Sequence, residues 1–306
     1  MTVLGARLSW YAARMRAMSP AEIAWRARTL ATGDLMLRRN VEPVPGPGWA
    51  EAFRGFRAAD GRPVLLAAGR AQRVAAAAPD DAAAVVAAAD DVLAGRFGFF
   101  GAPVVAFPGG DVDWNLDPRT GHRWPIVAAR AIDHRTHPGD AKWIWELNRL
   151  QHLPWLAQAW LFTGDERYAD AALGQLDSWI AQNPVGRGIA WRGGFEAGLR
   201  ALSVAVALQG LRTAPGLDLG RYRRAVTLLA ASAAFAWRER SLFSSANNHL
   251  LGEMAGVATV ALLHPEIASA DRLQARAMAV LAREARRQFR PEGGNAEQSS
   301  SYQLFA

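Results

Sequence analysis

Two polar islands stand in otherwise apolar surroundings: Ser245-Ala-Asn-Asn-His249, and Glu292-Gly-Gly-Asn-Ala-Glu-Gln298, the second running on to Tyr302. Together they hold side-chain amides (Asn247, Asn248, Gln298), an imidazole (His249) and a phenol (Tyr302). Such groups suit β-elimination beside a carboxylate. Breaking a uronic acid polymer that way requires the C5 carboxylate to be neutralised, the C5 proton to be removed and the leaving oxygen to be protonated. The C5 proton is weakly acidic, so donors that bind the carboxylate and favour its enolate-like form supply much of the stabilisation. Asn248 and His249 suit that task. A phenol whose ordinary pKa is about 10 becomes a usable base beside positive charge, which suits Tyr302 to the proton transfers. Gln298 reads as a substrate contact beside it.

Each of these residues also has a plain structural reading. Asn is a preferred helix cap, so Asn247-Asn248 can simply open a helix over 248–263. The two readings are compatible, because a helix N-terminus that faces a cleft is an anion site. His249 can be a satisfied, half-buried histidine, and Tyr302 can be helix packing.

A second group lies upstream. Glu146, Asn148, Arg149 and His152 fall on one expected helix, where Asn148 and His152, four apart, share a face. That face either lines a cleft or forms a buried network that braces neighbouring helices. Glu196 and Arg200, also four apart, make an intrahelical ion pair or reach substrate. Trp114, Trp124, Trp143, Trp145 and Trp191 are candidates for stacking on a sugar, with core packing the alternative for each. Asn148, Arg149, His152, Trp191, Glu196 and Arg200 are thus the candidate substrate contacts. Metal signals are weak: His249 with Glu253 lacks the His-Glu-x-x-His arrangement, and His134-Arg-Thr-His137 beside Asp133 has no third ligand in view. No metal and no cofactor are expected. Nucleotide-loop and nucleophile-elbow patterns are absent.

The elements that must position these residues are helices. Ser19-Pro20-Ala-Glu22 is a cap followed by proline at the first helical position, within two short helices spread over residues 1 to about 40. Val41 to Trp49 is rich in Pro and Gly and reads as a linker. Pro79-Asp-Asp opens an Ala-rich helix that closes at Gly95. Residues 97–140 are irregular, with room for a short hairpin, and such a long stretch in a compact domain is usually functional or wraps a core. Helices are then expected near 142–163 (with a kink at Pro154), 166–182, 194–212, 220–238, 248–263 and 269–289, with a last one starting near Ala296. Short loops between them make antiparallel helical hairpins. The hairpins make an all-α fold, either a solenoid or an incomplete α/α toroid with an irregular N-terminal region, and the lack of a strict repeat speaks against the first. Its divisions are 1–140, the N-terminal helices and wrapping segment, and 141–306, the toroid body, continuous with the first.

Bulk properties bound the function classes. A chain of 306 residues that is 51% hydrophobic can bury a large core. The formal charge of +7 attracts polyanions. Nucleic acid, anionic lipid and acidic polysaccharide all qualify, and the scatter of its arginines weakens the nucleic-acid reading. Twelve Trp and twelve Phe against four Tyr favour packing and contact with the apolar faces of sugar rings. There is no cysteine, which excludes disulfides, thiolate metal sites and a Cys nucleophile. No apolar stretch approaches the roughly 20 residues of a membrane span, and no secretory signal is evident, so a cytoplasmic location is the default expectation, with the periplasm the other.

With these residues in view, the sequence resembles the heparinase II/III family of polysaccharide lyases in its helical N-terminal domain. The match rests on Trp145-Glu146-Leu-Asn148-Arg149, His152, Thr163-Gly164-Asp165, Trp179 with Asn183-Pro184, Gly188 to Trp191, Glu196 and Arg200, Asn247-Asn248-His249 with Gly252-Glu253, and Gly293-Gly294 to Tyr302. The resemblance implies that Asn248 binds a uronate carboxylate and that Tyr302 is a catalytic acid and base. It adds to the expectation of the toroid, and it implies a C-terminal β-sandwich domain in the full-length protein, supplying a second catalytic group. A glycoside hydrolase using Glu146, Glu196 or Glu297, and a non-catalytic protein that binds acidic glycan or serves its biosynthesis, are the alternatives.

Overall fold

In the computed structural model the described residues are 13–37, 43–44, 48–59, 64–99, 101, 103–107 and 111–297. Gln298, Tyr302 and the body of the helix expected from Ala296 lie outside them.

After one helical turn at 13–17 comes α1 (Pro20–Leu37), whose start follows the sequence signal: the Ser19 hydroxyl accepts from the Glu22 N–H at 3.2 Å. The next helices, α2 (Trp49–Ala58) and α3 (Ala68–Ala77), are additions to the expected plan. The first forms because Trp49, Ala52 and Phe56 present one apolar face to the body, where Phe56 and Trp49 meet Tyr222. The Ala-rich α4 (Pro79–Leu93) ends before Gly95, as expected. Two short hairpins follow in the irregular stretch: β1 (Arg96–Phe97) with β2 (Val105–Ala106), and β3 (Leu116–Asp117) with β4 (His122–Arg123). Gly121, at φ 72°, allows the second to turn.

The body consists of α5 (Ala141–Asn148), α6 (His152–Thr163), α7 (Glu166–Gln182), α8 (Gly194–Gly210), α9 (Leu219–Glu239), α10 (Asn248–Leu263) and α11 (Ala270–Gln288). Side-chain caps set several of the starts: Asp140 for α5, Asp165 for α7, Asp218 for α9 and Asn247 for α10. One expectation is corrected. The helix placed over 142–163 is two helices, and the break is at Leu150, which is buried with φ 57°, not at Pro154. Pro154 sits in the first turn of α6, where its missing N–H leaves no helical bond unmade.

These helices form an incomplete α/α toroid. An inner row runs α4, α6, α8, α10, each packing on the next, and α7, α9 and α11 pack outside it. The split follows composition. The inner α8 and α10 are apolar nearly all round and bury most of their residues, whereas α11 keeps Ala277, Glu284 and Gln288 inward and turns Arg272, Arg276, Arg283, Arg286 and Arg287 to solvent. No described helix is long and apolar enough to cross a membrane.

The tightest approach in the row is between α8 and α10, at paired small-residue motifs, Gly194-x-x-x-Gly198 and Gly252-x-x-x-Gly256. A Cβ on Gly256 would lie 2.1 Å from the Gly198 carbonyl oxygen, and one on Gly198 would lie 2.7 Å from the Glu253 Cα. Only glycine permits the two backbones to touch there. Gly256→Ala is therefore expected to lose about 1–3 kcal/mol or more by overpacking, measured as a shift of the urea midpoint; an unchanged midpoint would refute the contact.

Candidate functional site

The α8–α10 contact brings two helix starts side by side. From α8 come Phe195 and Glu196, and from α10 come Asn248 and His249. The His249 ring stacks on Phe195, with centroids 4.4 Å apart and planes 17° from parallel, and the residue as a whole is exposed. The Arg149 guanidinium carbon lies 5.2 Å from the same Phe195 ring. Arg149 is the C-cap residue of α5, and its guanidinium donates twice to Glu196, from Nε at 2.8 Å and from the second terminal nitrogen at 3.1 Å. Its remaining nitrogen pairs with Glu146, which also accepts from Gln151 at 2.8 Å. One cation thus holds two carboxylates, and the pair keeps Arg149 charged by raising its pKa against the opposing effect of burial.

Asn247 caps α10 through Oδ1, which accepts from the His249 N–H at 3.0 Å. The next free N–H, that of Asn248, donates to the Glu297 carboxylate at 3.0 Å, so the two polar islands are joined directly. Asn248 is 5% exposed, and among the described residues its side-chain amide makes no hydrogen bond. The end of α11 steadies the same corner: Arg287 donates to the Ala246 carbonyl at 2.8 Å and Gln288 to that of Asn247 at 3.1 Å. Glu253, one turn into α10, is buried and accepts from the Ser241 N–H at 2.7 Å and its hydroxyl at 2.9 Å. Burial pushes its carboxyl from the usual 4.5 up to about 8, against the opposing effect of the Ser241 hydrogen bonds.

Burial, with Arg149 adding to it, holds His249 below its usual 6.5, although Glu196 and Glu297 pull the other way. The imidazole is accordingly neutral at pH 7 and able to donate or accept one hydrogen bond.

Several expected substrate contacts lie elsewhere. Asn148 is buried with its amide committed: it donates to the Trp114 and Ile144 carbonyls and accepts from the Trp179 indole at 2.7 Å. His152, on a different helix because of the break at Leu150, is buried against Trp114 and Phe97, and burial takes its pKa down to about 3. Trp191 is fully buried and donates to the Asn183 carbonyl. Arg200 is 0% exposed, its guanidinium 4.5 Å from the Trp179 ring and 4.4 Å from that of Trp191, with one bond to the Ala190 carbonyl; burial lowers its pKa to about 9, so it remains charged. These four residues are buried in the core, where among the described residues His152 Nε2 and two of the three Arg200 guanidinium nitrogens have no hydrogen-bond partner. Nor do Glu196 and Arg200 form the expected intrahelical pair, since Glu196 turns to Arg149. Of the five tryptophans considered for stacking, Trp114, Trp124, Trp143 and Trp191 are 0% exposed; Trp145 alone keeps open surface, with its indole N–H fixed on the Ile189 carbonyl at 3.1 Å. Gln298 and Tyr302 lie outside the described residues. The sequence reading missed Phe195 as the platform for His249, and the two glycine pairs flanking it were the signal that could have placed it. Among the described residues no cluster of three or more His, Asp or Glu side chains is arranged to hold a metal.

The family model described as "Heparinase II/III N-terminus" matches residues 70–306, and the chain belongs to that family. No curated protein sequence matches it significantly. Among solved structures, a heparinase III is similar with a TM-score of 0.59 at 18% identity, over 85% of this chain and 40% of that one. A heparan sulfate lyase from Pedobacter heparinus gives 0.55 at 20% identity, over 69% of this chain and 30% of that one. A further heparinase III, with methylated lysines, gives 0.55 at 21%, over 72% and 34%. At these identities the likeness establishes the fold, and the chain spans well under half the length of the structures it matches.

Two measurements check the electrostatics. The His249 ring resonances should titrate below pH 6.5, and a midpoint at or above 6.5 would contradict the burial described. Glu253 holds more protons folded than unfolded between its usual 4.5 and about 8, so the stability it contributes is present below that window and lost as pH rises through it. The wild-type chain should therefore lose stability relative to Glu253→Gln between those pH values, and parallel stability curves would overturn the assignment.

Proposed function

We propose that this chain is the carboxylate-binding half of a polysaccharide lyase that cleaves a uronate-containing acidic polysaccharide by β-elimination. The observation that carries the reading is the start of α10, where Asn248, a largely buried residue whose side-chain amide makes no hydrogen bond among the described residues, neighbours a neutral His249 on the Phe195 platform. In this reading the Asn248 side chain and the His249 imidazole donate to the C5 carboxylate. Drawing charge onto the carboxylate acidifies the C5 proton. Tyr302 takes that proton, the electron pair forms the C4–C5 double bond, the C4–O bond breaks, and the leaving oxygen takes a proton from the same phenol or from a group of the C-terminal domain. Trp145, the one half-buried member of the tryptophan set, provides a wall for an adjacent sugar ring.

The carboxylate arrangement supports elimination over glycoside hydrolysis. Hydrolysis needs two working carboxyl groups across the scissile bond. Glu146 and Glu196 instead clasp the same guanidinium, and Glu297 is engaged by the start of α10. The heparan sulfate lyase and heparinase III structures favour a glycosaminoglycan-like substrate within this class.

The test is a product assay on the full-length protein with a panel of acidic glycans. An unsaturated, ultraviolet-absorbing uronate product is expected, falling by about 100-fold or more in Asn248→Ala and Tyr302→Phe, the range for removing one preorganised donor or acid–base group. New reducing ends without unsaturation would overturn the reading.

A further inference from the structure

Helix α1 lies outside the residues matched to the family, yet it touches the segment that leads into the proposed site. The segment between α9 and α10 runs through Phe243, Ser244 and Ser245 before reaching Asn247-Asn248-His249. Each of those three residues meets α1. Glu22 is 3% exposed, and its Oε1 accepts from the Ser244 hydroxyl at 2.6 Å and from both Nε and a terminal nitrogen of Arg26, at 3.0 and 2.8 Å. The same Arg26 nitrogen donates to the Ser245 hydroxyl at 3.2 Å. The Trp25 ring lies 6.1 Å from that of Phe243. Further along α1, Arg130 donates to the Leu30 carbonyl at 3.3 Å while its other end pairs with Glu239 at the close of α9.

Phe243 has φ 57°, the left-handed region, which costs a non-glycine residue on the order of 1–3 kcal/mol and persists only where the surroundings over-determine it. Contacts from α1 at Phe243, Ser244 and Ser245 act on it from one side, and Glu253, Arg287 and Gln288 hold Ser241, Ala246 and Asn247 from the other. Glu22 is also a buried acid with no part in the proposed chemistry, held below its usual pKa by the Ser244 hydroxyl first and Arg26 second.

We propose that α1 is a brace that sets the conformation of residues 243–249, with Glu22 and Arg26 acting as positioning residues for Asn248 and His249. The brace itself stands on geometry; its catalytic consequence rests on the lyase reading.

Hydrogen–deuterium exchange of the whole chain tests it. In Glu22→Ala, amides of 243–250 should exchange about tenfold faster or more, with α6 and α7 unchanged, because local opening of this segment becomes easier. Ser244→Ala removes the other end of the contact at an exposed position without touching α1, and should give the same local change even if Glu22→Ala unfolds the chain. Glu22→Gln keeps an acceptor for Ser244 and should restore part of the protection. Unchanged exchange of 243–250 in Ser244→Ala would overturn the brace. In the full-length protein, Ser244→Ala should lower kcat several-fold with KM little changed, as expected when a transition-state contact is misplaced. If the wild type yields no unsaturated product while exchange responds as described, the lyase reading fails and the brace stands. If product forms but neither exchange nor kcat responds, the brace is overturned alone.

Discussion

The backbone contact between α8 and α10 is the constraint on which the site depends. Two helices with ordinary side chains pack with axes 8–10 Å apart, and the glycine pairs let these two come closer. The approach has a chemical consequence, because the starts of both helices then lie side by side. Phe195 and Glu196 are the second and third residues of α8, and Asn248 and His249 the first two of α10. Moving one helix outward by the width of a methyl group would separate the His249 ring from Phe195. The inner row therefore determines the site geometry through two motifs of small residues that themselves carry no chemistry.

Around that contact the charges are arranged so that little is left unpaired. Arg149 answers both Glu146 and Glu196, and Glu297 answers the N–H of Asn248. Glu253 is neutral behind the site and anchors Ser241. Carboxyl groups from α1, α10 and the segment after α11 thus hold successive points of one stretch, at Ser244, Ser241 and Asn248. What remains is the side-chain amide of the largely buried Asn248 and, on the next residue, a neutral imidazole. These are the groups an incoming carboxylate needs, because they donate hydrogen bonds without the cost of stripping a buried ion from its partner.

The helices were legible in the sequence wherever capping chemistry was explicit. Asp165 opens α7 where expected, Asn247 caps α10, and α10 itself has the expected bounds. Failures came where tertiary contacts overrode local signals. Leu150 breaks a helix because its side chain is wanted in the core, although nothing at that position resembles a stop, while Pro154, the apparent kink, is harmless in a first turn. Asn148, His152, Trp191 and Arg200 read equally well as cleft or core from spacing alone. Burial decides for the core, and helical periodicity cannot supply it, because both surfaces of an inner helix are covered. Arg200 shows the difficulty most sharply, since an arginine flanked by two indoles has no sequence mark that separates it from an exposed one. The two polar islands stood out in the sequence, but the hydrogen bond from the Asn248 N–H to Glu297 that joins them is a tertiary contact that spacing does not reveal.

The central claim is that the start of α10 receives a uronate carboxylate, and a structure of the full-length Tyr302→Phe variant with a uronate oligosaccharide tests it most directly. The account predicts the C5 carboxylate within about 3 Å of the Asn248 side-chain nitrogen, with a His249 ring nitrogen also in hydrogen-bond range. A sugar bound with its glycosidic oxygen on Glu196 or Glu146, and its carboxylate turned away from Asn248, would contradict it.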